Sequence, residues 1–311
     1  MAGEASVGSV AVTLPGLFGF RIAATSAAVD WRTLEAIWAA AGKLDVFSAG
    51  WMSDHLSDAN QDIRGPAFES LTTAAALAHL VPGKWIGIAV LSNTFRHPAV
   101  VAKAATVLDN ATAGRFILGL GAGWHEGEHD AFGIPLPLIA ERFDRYEHAV
   151  ATLAALFSPA ARSAPGVTRD DPYYPLRGAT LEPPPLRKGG PALWLGGQRR
   201  RGIALAARFA DGWIMPGNVP GNLDYFVDRR AALLRALEAE GRDPAGFGFA
   251  GQLVIEGSAA GLREARQLAK RFVAAGATHL TLGVGADDGV AGLRAIAREV
   301  AEPVRQATGR A

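Results

Sequence analysis

Four stretches of this chain gather side chains that can move protons, hold a planar ring or bind an anion. The first is Ser53-Asp54-His55. An imidazole exchanges protons near neutral pH, so His55 is a candidate acid or base, and Asp54 can orient it or hold a cofactor. The plainer alternative is a loop capped by Asp54, with His55 on the surface. The second stretch is Ala89-Val90-Leu91-Ser92-Asn93-Thr94, running into Phe95-Arg96-His97-Pro98. Its small residues can lie flat against a planar ring whose polar edge Ser92, Asn93 and Thr94 could hydrogen-bond. A loop capped by Asn93 or Thr94 before a Pro-initiated helix would read the same way.

The third stretch is Gly119-Leu120-Gly121-Ala122-Gly123-Trp124-His125. Glycines such as Gly121 and Gly123 let backbone approach a cofactor closely, and Trp124 can wall a pocket. The residues that follow, His125-Glu126-Gly127-Glu128-His129, spell the H-E-x-x-H pattern of zinc proteases. Gly127 and the preceding glycines oppose the long helix that pattern needs. We therefore expect no metal, and read these charges as solvated or salt-bridged. The fourth stretch is Gly196-Gly197-Gln198-Arg199-Arg200-Arg201, just ahead of a helical segment. Exposed N–H groups at a helix start bind anions, and the arginines add charge for a phosphate or carboxylate tail. A tight turn with solvated arginines is the alternative.

The elements that must position these stretches alternate regularly. Apolar runs suited to strands lie at 17–24, 45–51, 84–91, 115–120, 192–195, 212–215, 247–255 and 277–282. Helical spacing covers 30–42, 69–80, a segment starting at Pro98, 140–157, 200–209, 222–240, 261–275 and 290–306. Asp30 is placed to cap the first helix and Pro98 to open the third. Such alternation predicts a single α/β domain over 16–311, a closed (β/α)8 TIM barrel, behind a leader at 1–15. A doubly wound open sheet is the rival, but the Gly-rich turn expected after its first strand is missing. Two insertions break the rhythm, one at 122–139 after strand four and one at 158–190 before strand five. An insertion after a strand belongs on the functional face of such a barrel; the second follows a helix yet must cross to strand five, and has room for a small hairpin.

Composition excludes several classes. The chain has 311 residues and 49% apolar content, enough for a sizeable core. Its 31 basic and 30 acidic residues balance to a net charge of +1, which gives no case for nucleic acid or a membrane surface. There is no cysteine, hence no disulfide, thiolate metal site or cysteine nucleophile. No apolar run is long enough to span a bilayer, and the N-terminus lacks a basic n-region, so a cytoplasmic protein is expected.

Taken in order, SDHL at 53–56, NTFRHPAVVAKAATVLD at 93–109, GRFILGLGAGWHEGEHDAFGIPLP at 114–137, ERFDR at 141–145 and LWLGGQRRRGIALAARFADGW at 193–213 resemble the luciferase-like monooxygenase superfamily. The branch most similar is that of oxidoreductases using coenzyme F420, a deazaflavin. The resemblance covers nearly the whole chain and implies the bacterial luciferase-like barrel. It implies that Asp54 and His55 contact the deazaflavin and serve acid–base chemistry. Ala89-Val90 would form a bulge with a non-proline cis peptide behind the ring. Ser92 and Asn93 would hydrogen-bond the ring, with Gly121, Gly123 and Trp124 beside its reactive face. Gly196, Gly197, Gln198, Arg199 and Arg200 would form the phosphate loop. Trp124 departs from the pattern: the sugar-phosphate dehydrogenases of the superfamily carry a glutamate there, so that activity is not expected. His55, Glu126 and His125 remain as proton-transfer candidates.

The leading expectation is an F420-dependent oxidoreductase passing a hydride between deazaflavin and a small organic substrate. An FMN-dependent monooxygenase of the same fold is the alternative. A non-catalytic flavin-binding barrel stands below both, and a zinc hydrolase through His125 and His129 is last. A homodimer is expected from the habit of the superfamily.

Overall fold

Strands buried on both faces suit a parallel sheet wrapped by helices. In the computed structural model, which describes residues 15–22, 29–57, 67–285 and 287–310, such strands close into a ring. In chain order the elements are β1 (Phe18–Ile22), α1 (Trp31–Gly42), β2 (Phe47–Met52), α2 (Ser70–Leu77), β3 (Trp85–Ile88), β4 (Leu91–Ser92), α3 (Pro98–Ala111) and β5 (Phe116–Gly121). There follow α4 (Glu126–Phe132), α5 (Ile139–Phe157), β6 (Val167–Arg169), β7 (Leu176–Ala179), β8 (Ala192–Leu195), α6 (Arg200–Phe209) and β9 (Gly212–Ile214). The last are α7 (Leu223–Ala239), β10 (Gly248–Val254), α8 (Ala259–Ala274), β11 (His279–Val284), α9 (Gly289–Ile296) and α10 (Glu302–Thr308).

The order β3-β2-β1-β11-β10-β9-β8-β5 is parallel throughout, and β3 also pairs with β5, so the barrel closes. Helix starts fall where the capping residues put them. Asp30 accepts from Thr33 N, Glu69 from Thr72 N and Asn222 from Tyr225 N, and Pro98 opens α3. Helix α6 occupies the predicted span, and the predicted hairpin is β6–β7, antiparallel. The leader expected at 1–15 lies, except for Pro15, outside the described residues, as do positions 23 and 24 of the first predicted strand.

Two elements differ from expectation. The run read as one strand over 84–91 is two, β3 and β4, separated by the cis peptide bond between Ala89 and Val90 that the family resemblance implied. Both halves are apolar and both pair with β5, so hydrophobic pattern cannot see the break. The helix expected over 290–306 is α9 and α10 joined by a wider turn at Ala297–Ala301. Pro303 has no N–H to complete the regular ladder at that point.

The lower barrel interior is plugged by indoles. Trp51 and Trp194 have ring centres 5.4 Å apart. They fit because the facing positions are glycines: a Cβ at Gly87 would lie 2.3 Å from Trp51, and one at Gly248 2.6 Å from Trp194. Trp51 Nε1 donates to His279 Nε2 at 2.9 Å, and His279 Nδ1 donates to the Gly16 carbonyl at 2.7 Å. With both nitrogens used in this way His279 is neutral, and burial lowers its pKa to about 4.

Candidate active site

Strand β2 releases the chain at Ser53, and His55 then meets a partner from α4, the helix after β5. His55 Nδ1 lies 2.9 Å from Glu128 Oε2, while Glu128 Oε1 accepts from Leu56 N at 2.6 Å and Ser57 N at 3.1 Å. Glu128 is 1% exposed. Burial pushes its carboxyl up, but the His55 ring and the two N–H groups outweigh that and hold it below the usual carboxylate range. An ionised carboxylate can only accept, so Nδ1 carries the proton and Nε2 is left as the basic atom. Among the described residues Nε2 has no protein partner. The His55 ring stands edge-on to Trp124, centres 6.1 Å apart, and Trp124 is 59% exposed.

Asp54 points the other way and is buried. Its Oδ1 accepts from Ser70 Oγ at 2.7 Å and from Arg96 Nη2 at 2.8 Å. Its Oδ2 accepts from Ser92 N and from Arg96 Nη1, each at 2.8 Å. Arg96 donates as well to Glu69, the cap of α2. This bidentate pair ties β2, α2, β4 and the loop before α3 into one unit. The carboxylate is thus occupied by protein, and through Ser92 N it fixes the strand that follows the cis bond.

Ser92 carries a further chain of hydrogen bonds. Its Oγ is 2.6 Å from Thr94 Oγ1, which is 2.7 Å from His129 Nε2, and His129 Nδ1 is 2.7 Å from the His125 carbonyl. The carbonyl accepts, so Nδ1 donates, Nε2 accepts from Thr94, and Thr94 in turn accepts from Ser92. Ser92 therefore faces the mouth as an acceptor. Asn93 turns away: its Nδ2 donates to Tyr174 OH at 3.2 Å, and its N–H to the Gly121 carbonyl.

Val90, beyond the cis bond, rests on glycines of two neighbouring strands. A Cβ at Gly121 would lie 2.7 Å from Val90 Cγ2, and one at Gly196 3.4 Å from it. At Gly123, where φ is +86°, a Cβ would lie 2.5 Å from Thr94 Oγ1 and 2.7 Å from Ser92 Oγ. The glycines leave room for the Val90, Ser92 and Thr94 side chains to settle low, and the result is a platform of Ala89, Val90 and glycine backbone. Helix α5 secures its rim. Arg142 Nη1 donates to the Gly123 carbonyl at 3.0 Å, and the buried Tyr146 hydroxyl reaches the carbonyls of Leu120 and Gly196 at 2.8 and 3.0 Å.

The α6 start forms the opposite edge. Gly197 has φ +131° and packs against Gly202, where a Cβ would come within 2.8 Å. Its carbonyl accepts from Trp213 Nε1, and that of Gln198 from Arg229. Arg199 and Arg200 are exposed at the first turn. Arg201 does not belong with them: it pairs with Asp144 and Glu147 on α5 at 2.7 and 2.8 Å. Arginine was read there as anion-binding charge, but the ERFDR helix packed alongside claims it.

The H-E-x-x-H residues sit on the seven-residue helix α4, which His125 caps by accepting from Glu128 N through Nδ1. Among the described residues no three His, Asp or Glu side chains converge as a metal-ligand set. Sequence reading named His55 but missed its partner Glu128 and the Asp54 clamp residues Arg96 and Ser70. No helix among the described residues is long and apolar enough to cross a membrane.

Comparison with known proteins agrees with this architecture. The family model described as "Luciferase-like monooxygenase" matches residues 17–307. A phthiodiolone/phenolphthiodiolone dimycocerosates ketoreductase of Mycobacterium tuberculosis is 33% identical over 211 residues, 62% of this chain and 53% of that protein. An FMNH2-dependent dimethylsulfone monooxygenase of Pseudomonas putida is 26% identical over 182 residues, covering 58% of this chain and 46% of the relative. The chain thus spans about half the length of the curated relatives it matches. Among solved structures, an F420-dependent secondary alcohol dehydrogenase aligns with TM-score 0.75 and 18% identity over 94% of this chain and 99% of its own. The F420-dependent tetrahydromethanopterin reductase of Methanopyrus kandleri aligns with TM-score 0.73 and 14% identity, covering 94% and 100%.

Proposed function

The chain belongs to the luciferase-like monooxygenase family, and from that premise we propose that it is an F420-dependent oxidoreductase acting on the carbonyl or alcohol group of a small organic substrate. The observation that carries the reading is the His55–Glu128 pair standing at one end of the Val90–glycine platform, with the α6 start at the other. When bound, the deazaflavin would supply or take up the hydride. The fit rests on shape and polar groups: Ala89 and Val90, seated on Gly121 and Gly196, offer a low apolar surface, and Ser92, packed against Gly123, offers an acceptor. The N–H groups of α6, with Arg199 and Arg200, suit an acidic tail.

In this scheme His55 Nε2 is the atom that gives or takes the proton at the substrate oxygen. Glu128 fixes the ring's tautomer and balances the imidazolium that forms. Asp54 is a positioning residue, setting Ser92 through the clamp. Trp124 shields the reacting face from one side. The ketoreductase relative supports carbonyl chemistry. Titration of apoprotein with F420 and with FMN, followed by turnover of reduced F420 with ketone acceptors, tests the reading. FMN affinity without measurable F420 affinity would refute it. The monooxygenase relative favours a second reading, oxygenation dependent on reduced FMN, which oxygenated product formed by the protein loaded with reduced FMN would reveal.

A further inference from the structure

Strand β1 carries a cation in a place where strands normally carry core. Gly19, Trp51 and Ala250 face the barrel axis, and side chains two residues further along a strand face the same way. Arg21 and Gln252 therefore project inward one layer above the Trp51–His279 floor. Arg21 is 8% exposed and makes no hydrogen bond or ion pair among the described residues; its Nε is buried without a partner. Gln252 is 2% exposed, donates through Nε2 to the Met215 carbonyl, and leaves Oε1 buried and unpaired. That carbonyl can only accept, so the amide orientation follows from it and Oε1 is the free acceptor.

The two side chains converge on one space. A Cβ at Gly217, in the loop after β9, would lie 3.8 Å from Arg21 Nη1 and 3.9 Å from Gln252 Oε1, with no other atom within 4 Å. Gly217 is itself exposed, so the gap lies directly beneath the surface. Arg21 pairs in register with Trp51, four residues before His55, so the space and the proposed proton donor share one mouth. A buried guanidinium stays charged, and an uncompensated one is costly to the fold. Side chains arranged at such cost, a donor fork beside an acceptor, match a ligand that presents an anion next to a hydrogen-bond donor.

We propose that Arg21, Gln252 and the Gly217 gap form a substrate subsite for an organic carboxylate bearing a hydroxyl or N–H beside it. The proposal rests on the functional reading above, in that it names the substrate class of the same mouth. Arg21 forks the carboxylate, and Gln252 Oε1 accepts from the neighbouring donor. Burial lowers the Arg21 pKa to about 10, which leaves it charged at neutral pH.

The test is calorimetric titration of cofactor-free protein with sodium lactate, and with propan-2-ol as neutral control. Lactate should bind saturably below about 50 mM, and propan-2-ol should not. Arg21→Met should weaken lactate binding by about tenfold or more. Gly217→Ala, whose added methyl makes ordinary contacts, should weaken it by filling the gap. Arg21→Met should also unfold at the same or a higher temperature than wild type, since it removes an unpaired buried charge. Lactate binding absent in wild type, unchanged in both variants, or matched by propan-2-ol would overturn the proposal. So would a lower unfolding temperature for Arg21→Met, which would mark the guanidinium as a support of the fold. Because no cofactor is present, failure to bind F420 leaves a positive lactate result standing, and the reverse holds equally.

Discussion

Replacing Asp54 by Asn separates a clamp from a cofactor contact. The carboxylate accepts four hydrogen bonds, two of them from Arg96. In the variant one oxygen becomes an NH2 group. The cheaper orientation keeps oxygen toward Ser92 N and turns NH2 toward Ser70, whose hydroxyl can rotate to accept it. Arg96 Nη2 then faces a donor, and the remaining bond to Nη1 loses its charge. Each charge-assisted bond contributes about 1.5–3 kcal/mol, and breaking a buried pair costs about 3–5 kcal/mol. Arg96 keeps Glu69, so we expect the low end, about 3 kcal/mol. At roughly 2 °C per kcal/mol for a chain of this size, the melting midpoint should fall by about 6 °C. Urea midpoints and F420 titration on the same preparation form the assay. A variant of near wild-type stability whose cofactor affinity drops by about tenfold, roughly 1.4 kcal/mol, would refute the clamp and make Asp54 a direct contact.

Four further outcomes follow from the geometry. Glu128→Gln should retain F420 binding but lower turnover by about 10²-fold, because the amide cannot balance an imidazolium at His55; unchanged turnover would remove Glu128 from the scheme. In acid the wild type loses the stability its ionised Glu128 provides, which is fully present above the ordinary carboxylate range and vanishes as pH falls through the lowered folded value; Glu128→Gln should show a flatter acid limb in equilibrium unfolding. Gly123→Ala should destabilise the protein by about 1–3 kcal/mol, from its positive φ and its crowding of Ser92 and Thr94; an unshifted melting curve would mean the platform yields easily. His279 has a folded pKa of about 4 against 6.5, so its share of stability is complete above pH 6.5 and declines down to pH 4, by about 3 kcal/mol; a His279→Gln variant should lack this limb of the pH–stability profile.

The barrel was legible because its information is local. Apolar runs, Asp30 as a cap and Pro98 at a helix start each act within a turn or two of chain. The site was legible in part, since His55, Ser92, Gly123 and Gly197 lie at strand ends that a barrel gathers at one mouth. Pairings across the barrel were not legible. Glu128 sits in a run of charges that reads as solvated or salt-bridged with no partner named, and only the approach of residues 55–57, over 70 positions away, buries it. Arg201 looks like a member of a basic loop until Asp144 and Glu147 are brought beside it. Arg21 did leave a signal, a lone cation inside the apolar run at 17–24, and that signal went unread because the hydrophobic period dominated it.

The indole-and-imidazole plug at the base of the barrel has a kinetic consequence. With Trp51, Trp194 and His279 filling the axis, the described residues leave the mouth no rear exit, and both reactants must come and go by a shared doorway. Whatever lodges deepest is trapped behind whatever follows it. Turnover should then obey a compulsory sequence, in which a lingering product blocks its successor and excess of the outer reactant slows the cycle rather than hastening it.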